Sequence, residues 1–451
     1  MSRFRLTFVA EAVNGLLVGT DAVVSGVAID SRTVYKGNLF VALSGENVDG
    51  HEYIAQAVAK GVVGAIVSRS GIYPCPVVIV DDTKLALANL AKAYLQTNKV
   101  KVVAITGSVG KTSTKEMTAA AVGAQMSVCK SLGNLNTEIG LPLSVLNHEN
   151  EEVLVLEMGM RGLGQIAELA EIAPPDIAVI TNIGESHLEL LGSRANIAQA
   201  KGELLLGMKN GGVAILNCDD EFYNYLVPLA RGPVTSVGQH RDADFRIQNP
   251  RPVSDGCYGF ELHSGLDIFD VVSPWPGAHN MYNAALAVAA ASALGVDIES
   301  AIAALRLCGV GDKRLNLFTL SSGIQIIDDT YNASPISTIA ALHTLDEVSS
   351  GRRIAVLGGM LELGPRTEAG HREVGRAALG LCDLVVAVGD LAKMIAVESE
   401  QGGLPTYWCE NNAFALQLLV AIVKAGDTIL VKGSRGLKME EIVQALREGV
   451  V

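Results

Sequence analysis

Residues 107–113 read Gly-Ser-Val-Gly-Lys-Thr-Ser, directly after an apolar run at 102–106 and directly before a helical pattern that begins near Thr112. A glycine-rich turn between a strand and a helix commits the chain to an α/β architecture, because a parallel strand needs a crossover helix to bring the chain back. In that setting the backbone N–H groups at the helix start face outward and form a cradle for an anion. Lys111 then reaches the terminal phosphates of a nucleotide, and the Thr112 hydroxyl is placed to hold Mg²⁺. The loop is a shortened phosphate loop, with Ile105 standing where the longer pattern has its first glycine. A structural turn that merely contains Gly-Lys-Thr is the competing account. Gly107, Ser108, Val109, Gly110, Lys111, Thr112 and Ser113 are accordingly read as ATP-binding.

The same rhythm recurs along the 451 residues, a length that suggests several domains. Short apolar runs at 24–29, 39–43, 64–67 and 77–80, with a helical pattern at 53–60, predict a small N-terminal α/β domain over 1–97. Strands at 102–106, 153–158, 177–183 and 213–216 and a helix at 280–294 predict a central parallel sheet with helices on both faces, over 98–312. After Gly309, strands at 325–328, 354–357, 384–388 and 428–431 predict a C-terminal Rossmann-like domain over 313–451.

A formal charge of −13, without a long Lys/Arg cluster, argues against nucleic acid and anionic membranes as partners. The longest nearly uniform apolar stretch, 284–296, is too short to cross a bilayer. The N-terminus carries Arg3 and Arg5, but Glu11 and Asn14 interrupt the apolar run that a signal peptide needs, so a cytoplasmic location is expected. Seven scattered cysteines without a Cys-x-x-Cys pair predict reduced, buried thiols rather than a zinc site or a disulfide framework.

Glu157 ends the apolar run at 153–156 and so carries a carboxylate to the same sheet edge as the phosphate loop, where a nucleotide's metal would lie. A simple edge carboxylate is the alternative. His187 follows the next strand and reaches that edge too, although a lone loop histidine is more often structural. Lys201, within a helical stretch, reads on its own as a solvated lysine, and Asn280 and Asn283, three apart, as helix-start residues.

These segments resemble the Mur ligase family. The resemblance rests on the 107–113 loop, the Gly133-Asn-Leu-Asn-Thr-Glu-Ile-Gly-Leu-Pro142 loop, Glu157-Met-Gly, His187 with Lys201-Gly-Glu203, and His279-Asn280-Met-Tyr-Asn283, and it extends over nearly the whole chain. It implies that the central domain binds ATP, the first domain the UDP part of a nucleotide-sugar peptide, and the third the incoming amino compound. It implies Thr112, Glu157, His187 and Lys201 as ligands of Mg²⁺, at two sites, with Lys201 carried as a carbamate, and Lys111, Glu157, His187, Lys201 and Arg314 as the catalytic set. Asn280, Asn283, Arg314 and Asp329 join the phosphate loop on the ATP side. Asp328-Asp329-Thr-Tyr331-Asn332-Ala-Ser-Pro335 resembles the branch that adds D-alanyl-D-alanine to a UDP-N-acetylmuramoyl-tripeptide. Substrate contacts implied are Ser31, Arg32, Gly45, Asp49 and His51 in the first domain, Asn134, Asn136 and Thr137 in the second, and Tyr331, Asn332, Lys432, Ser434 and Arg435 in the third. The motif Leu361-Glu362-Leu-Gly364 with His371-Arg372 is expected on the amine side. Arg32 as an exposed strand-end arginine is an equally good account. A monomer is expected. The rivals are a relative that adds a diamino acid or glutamate, and a phosphate-loop switch that forms no amide.

Overall fold

The computed structural model describes residues 4–45, 48–309 and 313–449. Its centre is a nine-stranded sheet in the order Asp267–Val272, Tyr258–Ser264, Phe245–Pro252, Val234–Gly238, Val213–Asn217, Ile177–Ile180, Lys101–Thr106, Val153–Glu157 and Val128–Lys130. The strands are parallel from Val128–Lys130 through Phe245–Pro252, and the last two continue antiparallel. That antiparallel extension adds to the predicted parallel sheet. Its strands interleave Glu261, His263, Ser264, Asp267 and Asp270 with their apolar residues, so they lack the apolar runs that marked the others.

Side chains alternate across the strands, and both faces are covered. Val102, Ala104, Leu154 and Leu156 pack toward Gly140–Leu146, Gln165–Ile172 and Arg194–Leu206. Val103, Ile105, Val153 and Val155 pack toward Lys111–Val122 and His279–Ala293. Burial on both sides is why these strands read as continuous apolar runs.

The N-terminal sheet has the order Leu16–Val18, Val77–Ile79, Gly64–Val67, Leu39–Val41, Val27–Ala28. The run predicted at 24–29 is two short strands, Val23–Val24 and Val27–Ala28, separated at Ser25 and Gly26. A helix over Thr83–Thr97, capped by Asp82, lies between the first two domains. Its buried Leu87, Leu90 and Tyr94 belong to one apolar cluster that runs from Phe4 and Leu6 into the central sheet, so these two domains share a core.

The C-terminal sheet has the order Asn316–Thr319, Gln325–Asp329, Thr428–Lys432, Arg353–Gly358, Leu384–Val388, Thr406–Cys409, parallel except at its first pair. It has its own two apolar clusters, one on each face. The predicted border at 312 adjoins residues 310–312, which lie outside the described residues, as do Arg3 and Asp312.

Candidate active site

A cleft of about 1760 Å³ opens between the central and C-terminal domains, at the carboxyl ends of both sheets. Its floor is the phosphate loop. Gly110 has φ +81°, and a Cβ there would stand 2.6 Å from Asn283 Oδ1, so this turn admits only glycine without strain. Residues 181–186 hold the loop in shape. Asn182 Oδ1 accepts from the Val109 N–H at 3.1 Å, the Thr181 hydroxyl donates to the Val109 carbonyl at 2.6 Å, and the Gly184 N–H donates to Ser108 Oγ at 2.8 Å. The strand predicted to reach 183 therefore ends at Ile180, because the next residues bind the loop. Lys111 Nζ donates to the Gly107 carbonyl at 2.8 Å.

Glu157 lies in register with Ile105, one strand across from the loop. Its Oε2 accepts from Thr112 Oγ1 at 2.7 Å and its Oε1 from Asn136 Nδ2 at 2.8 Å, while its own N–H donates to Ser131 Oγ at 3.0 Å. Thr112, Asn136 and Glu157 are thus one connected unit.

Lys201 is buried, 1% exposed, and reaches the cleft from the helix Arg194–Leu206. Burial first, and then the charge of Lys111, pushes its amine well below the ordinary lysine value. Lys111 is pushed down by burial as well, with Glu157 opposing and Arg314 adding to the shift. His187 sits at the start of a short helix with φ +62°, a left-handed conformation that is costly for a side chain of this size. Its Nδ1 is 2.8 Å from Glu362 Oε2 of the C-terminal domain, a close contact that is an ion pair only when the imidazole is protonated. Burial and then Lys111 lower the imidazole pKa, and Glu362 pulls it back.

On the facing side, Asp329 pairs with Lys432 Nζ at 2.5 Å, as strand register dictates, and the same amine donates to the Asn332 carbonyl at 2.9 Å. The Tyr331 ring carries Arg314 at 4.0 Å and Arg435 at 5.7 Å from its centroid. Ser434 Oγ accepts from the Leu361 N–H at 2.9 Å. Asn134 and Thr137 line the central wall.

Models of the Mur ligase middle domain, the Mur ligase glutamate ligase domain and the Mur ligase family catalytic domain match residues 105–291, 313–435 and 23–105. A UDP-N-acetylmuramoyl-tripeptide–D-alanyl-D-alanine ligase of Bacillus subtilis is 40% identical, covering 98% of this chain and 97% of its own. The enzyme of that name from Escherichia coli is 36% identical, with 98% of each chain covered. The chain belongs to the Mur ligase family. A crystal structure of MurF from Acinetobacter baumannii superimposes with a TM-score of 0.91 at 32% identity over 99% of each chain. MurF ligase from Thermotoga maritima in complex with ADP does so at 0.82 and 31% identity, over 94% of this chain and 97% of that one.

Within this Mur ligase the cleft gathers the phosphate loop, Glu157, His187, Lys201, Asn280, Asn283, Arg314, Asp329, Tyr331, Asn332, Lys432, Ser434 and Arg435. Asn280 and Asn283 are almost wholly buried. Asn283 Oδ1 accepts from Thr114 Oγ1 at 3.1 Å and its amide donates to Asn280 Oδ1 at 2.8 Å, so the pair ties the helix His279–Ala293 to the helix after the phosphate loop. Ser31, Arg32, Gly45, Asp49 and His51 do not line this cleft. They follow the strands of the first domain, where Ser31 Oγ donates to Gln56 Oε1 at 2.8 Å and Asp49 pairs with His51 Nδ1 and Arg69, each at 2.6 Å. Arg32 is exposed and its guanidinium is bound by Asp30. His371, expected on the amine side, is instead fully buried: its Nδ1–H donates to the Thr367 carbonyl at 2.6 Å and its Nε2 accepts from the Met360 N–H at 2.8 Å. The sequence reading also missed Thr181, Asn182 and Ser131, polar residues placed next to strand ends, where backbone groups leave the ladder and need partners.

Proposed function

We infer that this Mur ligase joins D-alanyl-D-alanine to UDP-N-acetylmuramoyl-tripeptide with conversion of ATP to ADP and phosphate, in peptidoglycan precursor synthesis. The observation that carries the reading is that Lys111, Lys201 and Arg314 converge beside the phosphate loop, where Glu157 is the carboxylate that acts on Lys111. Buried amines are tolerable when a polyanion such as a triphosphate completes the site.

A peptide carboxylate resists attack by an amine because its oxygen is a poor leaving group. In the proposed reaction the carboxylate attacks the γ-phosphorus, the bond to ADP breaks, and an acyl phosphate results. Lys111, released from the Gly107 carbonyl, and Arg314 spread the negative charge that develops on the transferred group. The dipeptide amine then attacks the acyl carbon, and phosphate leaves as the amide forms and the amine loses its proton. Residues 181–186 keep the loop in its receptive shape, so little reorganisation is needed when the nucleotide binds.

Among the described residues no group of three or more His, Cys, Asp and Glu side chains forms a ready metal set. Thr112, Glu157 and His187 offer few donors, which suits an ion that keeps waters and phosphate oxygens as ligands. Bound Mg²⁺, at two sites, would supply charge neutralisation on the phosphates. We propose that Lys201, whose amine is held toward the neutral form, adds CO₂ at Nζ and releases a proton, becoming a carbamate that gives the site a second carboxylate-like ligand. The domain division at 97 and 312, the UDP-side residues of the first domain, a cytoplasmic location and a monomeric state belong to the same proposal. No helix among the described residues is long and apolar enough to cross a membrane.

The test is phosphate release from ATP with UDP-N-acetylmuramoyl-tripeptide, measured with and without D-alanyl-D-alanine. Release that depends on the dipeptide is expected. Release driven by a single amino acid and indifferent to the dipeptide would refute the assignment.

A further inference from the structure

Six carboxylates line the cleft, and four are already occupied. Glu116 pairs with Lys115 and Lys130, Glu138 with Lys84, and Asp329 with Lys432, while Glu157 accepts from Thr112 and Asn136. Of the other two, Glu168 lies on the central-domain helix Gln165–Ile172. Glu362 is carried by the C-terminal domain and points across the cleft at His187, the residue on which the charge of Lys111 also acts. Its remaining charged neighbour, Arg161, is 3.9 Å away.

Glu362 stands on a built loop. Met360 and Leu363 on either side of it are buried, the Met360 N–H is held by His371 and the Leu361 N–H by Ser434. Glu362 itself has φ +63°, a backbone state that side chains seldom adopt and that persists where the surroundings impose it. Packing therefore aims a carboxylate, paired most closely with His187 at 2.8 Å, into the cleft that also holds Lys111 and Arg314.

The ligase reaction can use such a group. The α-amino group of a dipeptide has a pKa of about 7.7–8.0, so at neutral pH it arrives largely as an ammonium ion. An ammonium is repelled by Lys111 and Arg314, and an anion on the amine side favours its approach. We propose that Glu362 is the residue that binds the ammonium of the incoming dipeptide and, once that group has lost a proton to solvent, orients the free amine toward the acyl carbon. This inference rests on the ligase reading above and adds to it a specific recognition group.

The test compares Glu362→Gln and Glu362→Asp with the wild type in phosphate release from ATP and UDP-N-acetylmuramoyl-tripeptide. The acceptor is either D-alanyl-D-alanine or hydroxylamine, a small uncharged amine that traps an acyl phosphate as the hydroxamate without needing an ammonium site. For Glu362→Gln, the KM for the dipeptide should rise about 10- to 100-fold, the loss expected for a charge-assisted hydrogen bond. The KM for ATP and the hydroxylamine-supported rate should stay at wild-type values, and Glu362→Asp should restore part of the dipeptide affinity. An unchanged dipeptide KM in Glu362→Gln, in a wild-type background that shows dipeptide-dependent release, overturns the inference alone. Equal loss with both acceptors overturns it too, since it would mark a structural role. Absence of dipeptide-dependent release in the wild type would instead remove the ligase reading.

Discussion

The Thr112 hydroxyl donates to Glu157 Oε2 across 2.7 Å, joining the first turn of the phosphate-loop helix to the end of the neighbouring strand. Both groups derive their positions from rigid elements, so their oxygens are fixed relative to each other before anything binds, as the proposed metal site requires. Lys111→Ala and Glu157→Ala are each expected to reduce phosphate release by at least about 10²–10³-fold, the scale of losing one preorganised electrostatic group. Steady-state kinetics with all three substrates provides the check, and near-normal turnover in either variant would be incompatible with these roles.

Carbamylation at Lys201 predicts a covalent signature. Protein equilibrated with bicarbonate and magnesium should show ¹³C label from bicarbonate at this side chain by NMR, and activity should fall when CO₂ is stripped from the buffer. Lys201→Ala should lose both properties. An unlabelled Lys201 in fully active enzyme would rule the modification out.

Gly110→Ala would place a methyl group in a left-handed conformation and against Asn283. The backbone term alone is about 1–2 kcal/mol. The variant should show a raised KM for ATP and a lower unfolding temperature, measurable by calorimetry with and without nucleotide. A wild-type affinity for ATP would mean that the loop tolerates a different shape.

Burial holds the His371 imidazole below its ordinary value of 6.5, in the neutral form that both donates to Thr367 and accepts from Met360. The unfolded chain therefore binds more protons than the folded one just below pH 6.5. Stability of the C-terminal domain should accordingly fall as pH drops from 6.5 toward the depressed folded value. Denaturant titrations across this window should show the slope, and His371→Gln, which cannot gain a proton, should flatten it. Identical slopes in the two proteins would exclude His371 as the source.

Much of this was legible in the residues, and the exceptions have physical reasons. Strands buried on both faces announce themselves as apolar runs, so Lys101–Thr106, Val153–Glu157 and Leu384–Val388 were located closely. Glu157 and His187 stood out because polar residues after such runs fall on one sheet edge. Phe245–Pro252 and Asp267–Val272 were not separated as strands, since their exposed faces carry the charges that usually mark loops. Lys201 was legible only through family likeness, because nothing local in a helix tells a buried lysine from a solvated one. The inward turn of His371 is likewise a tertiary fact, set by the backbone groups of Thr367 and Met360 that it satisfies.

The first two domains share one apolar cluster, whereas the third keeps two of its own and meets the rest across the cleft through pairs such as Glu185 with Arg366 and His187 with Glu362. A boundary built from polar contacts can be exchanged without repacking either side. If the third domain holds the amine as proposed, new acceptor specificities can arise by remodelling its cleft-facing loops while the phosphate loop and the sheet that carries it are inherited unchanged.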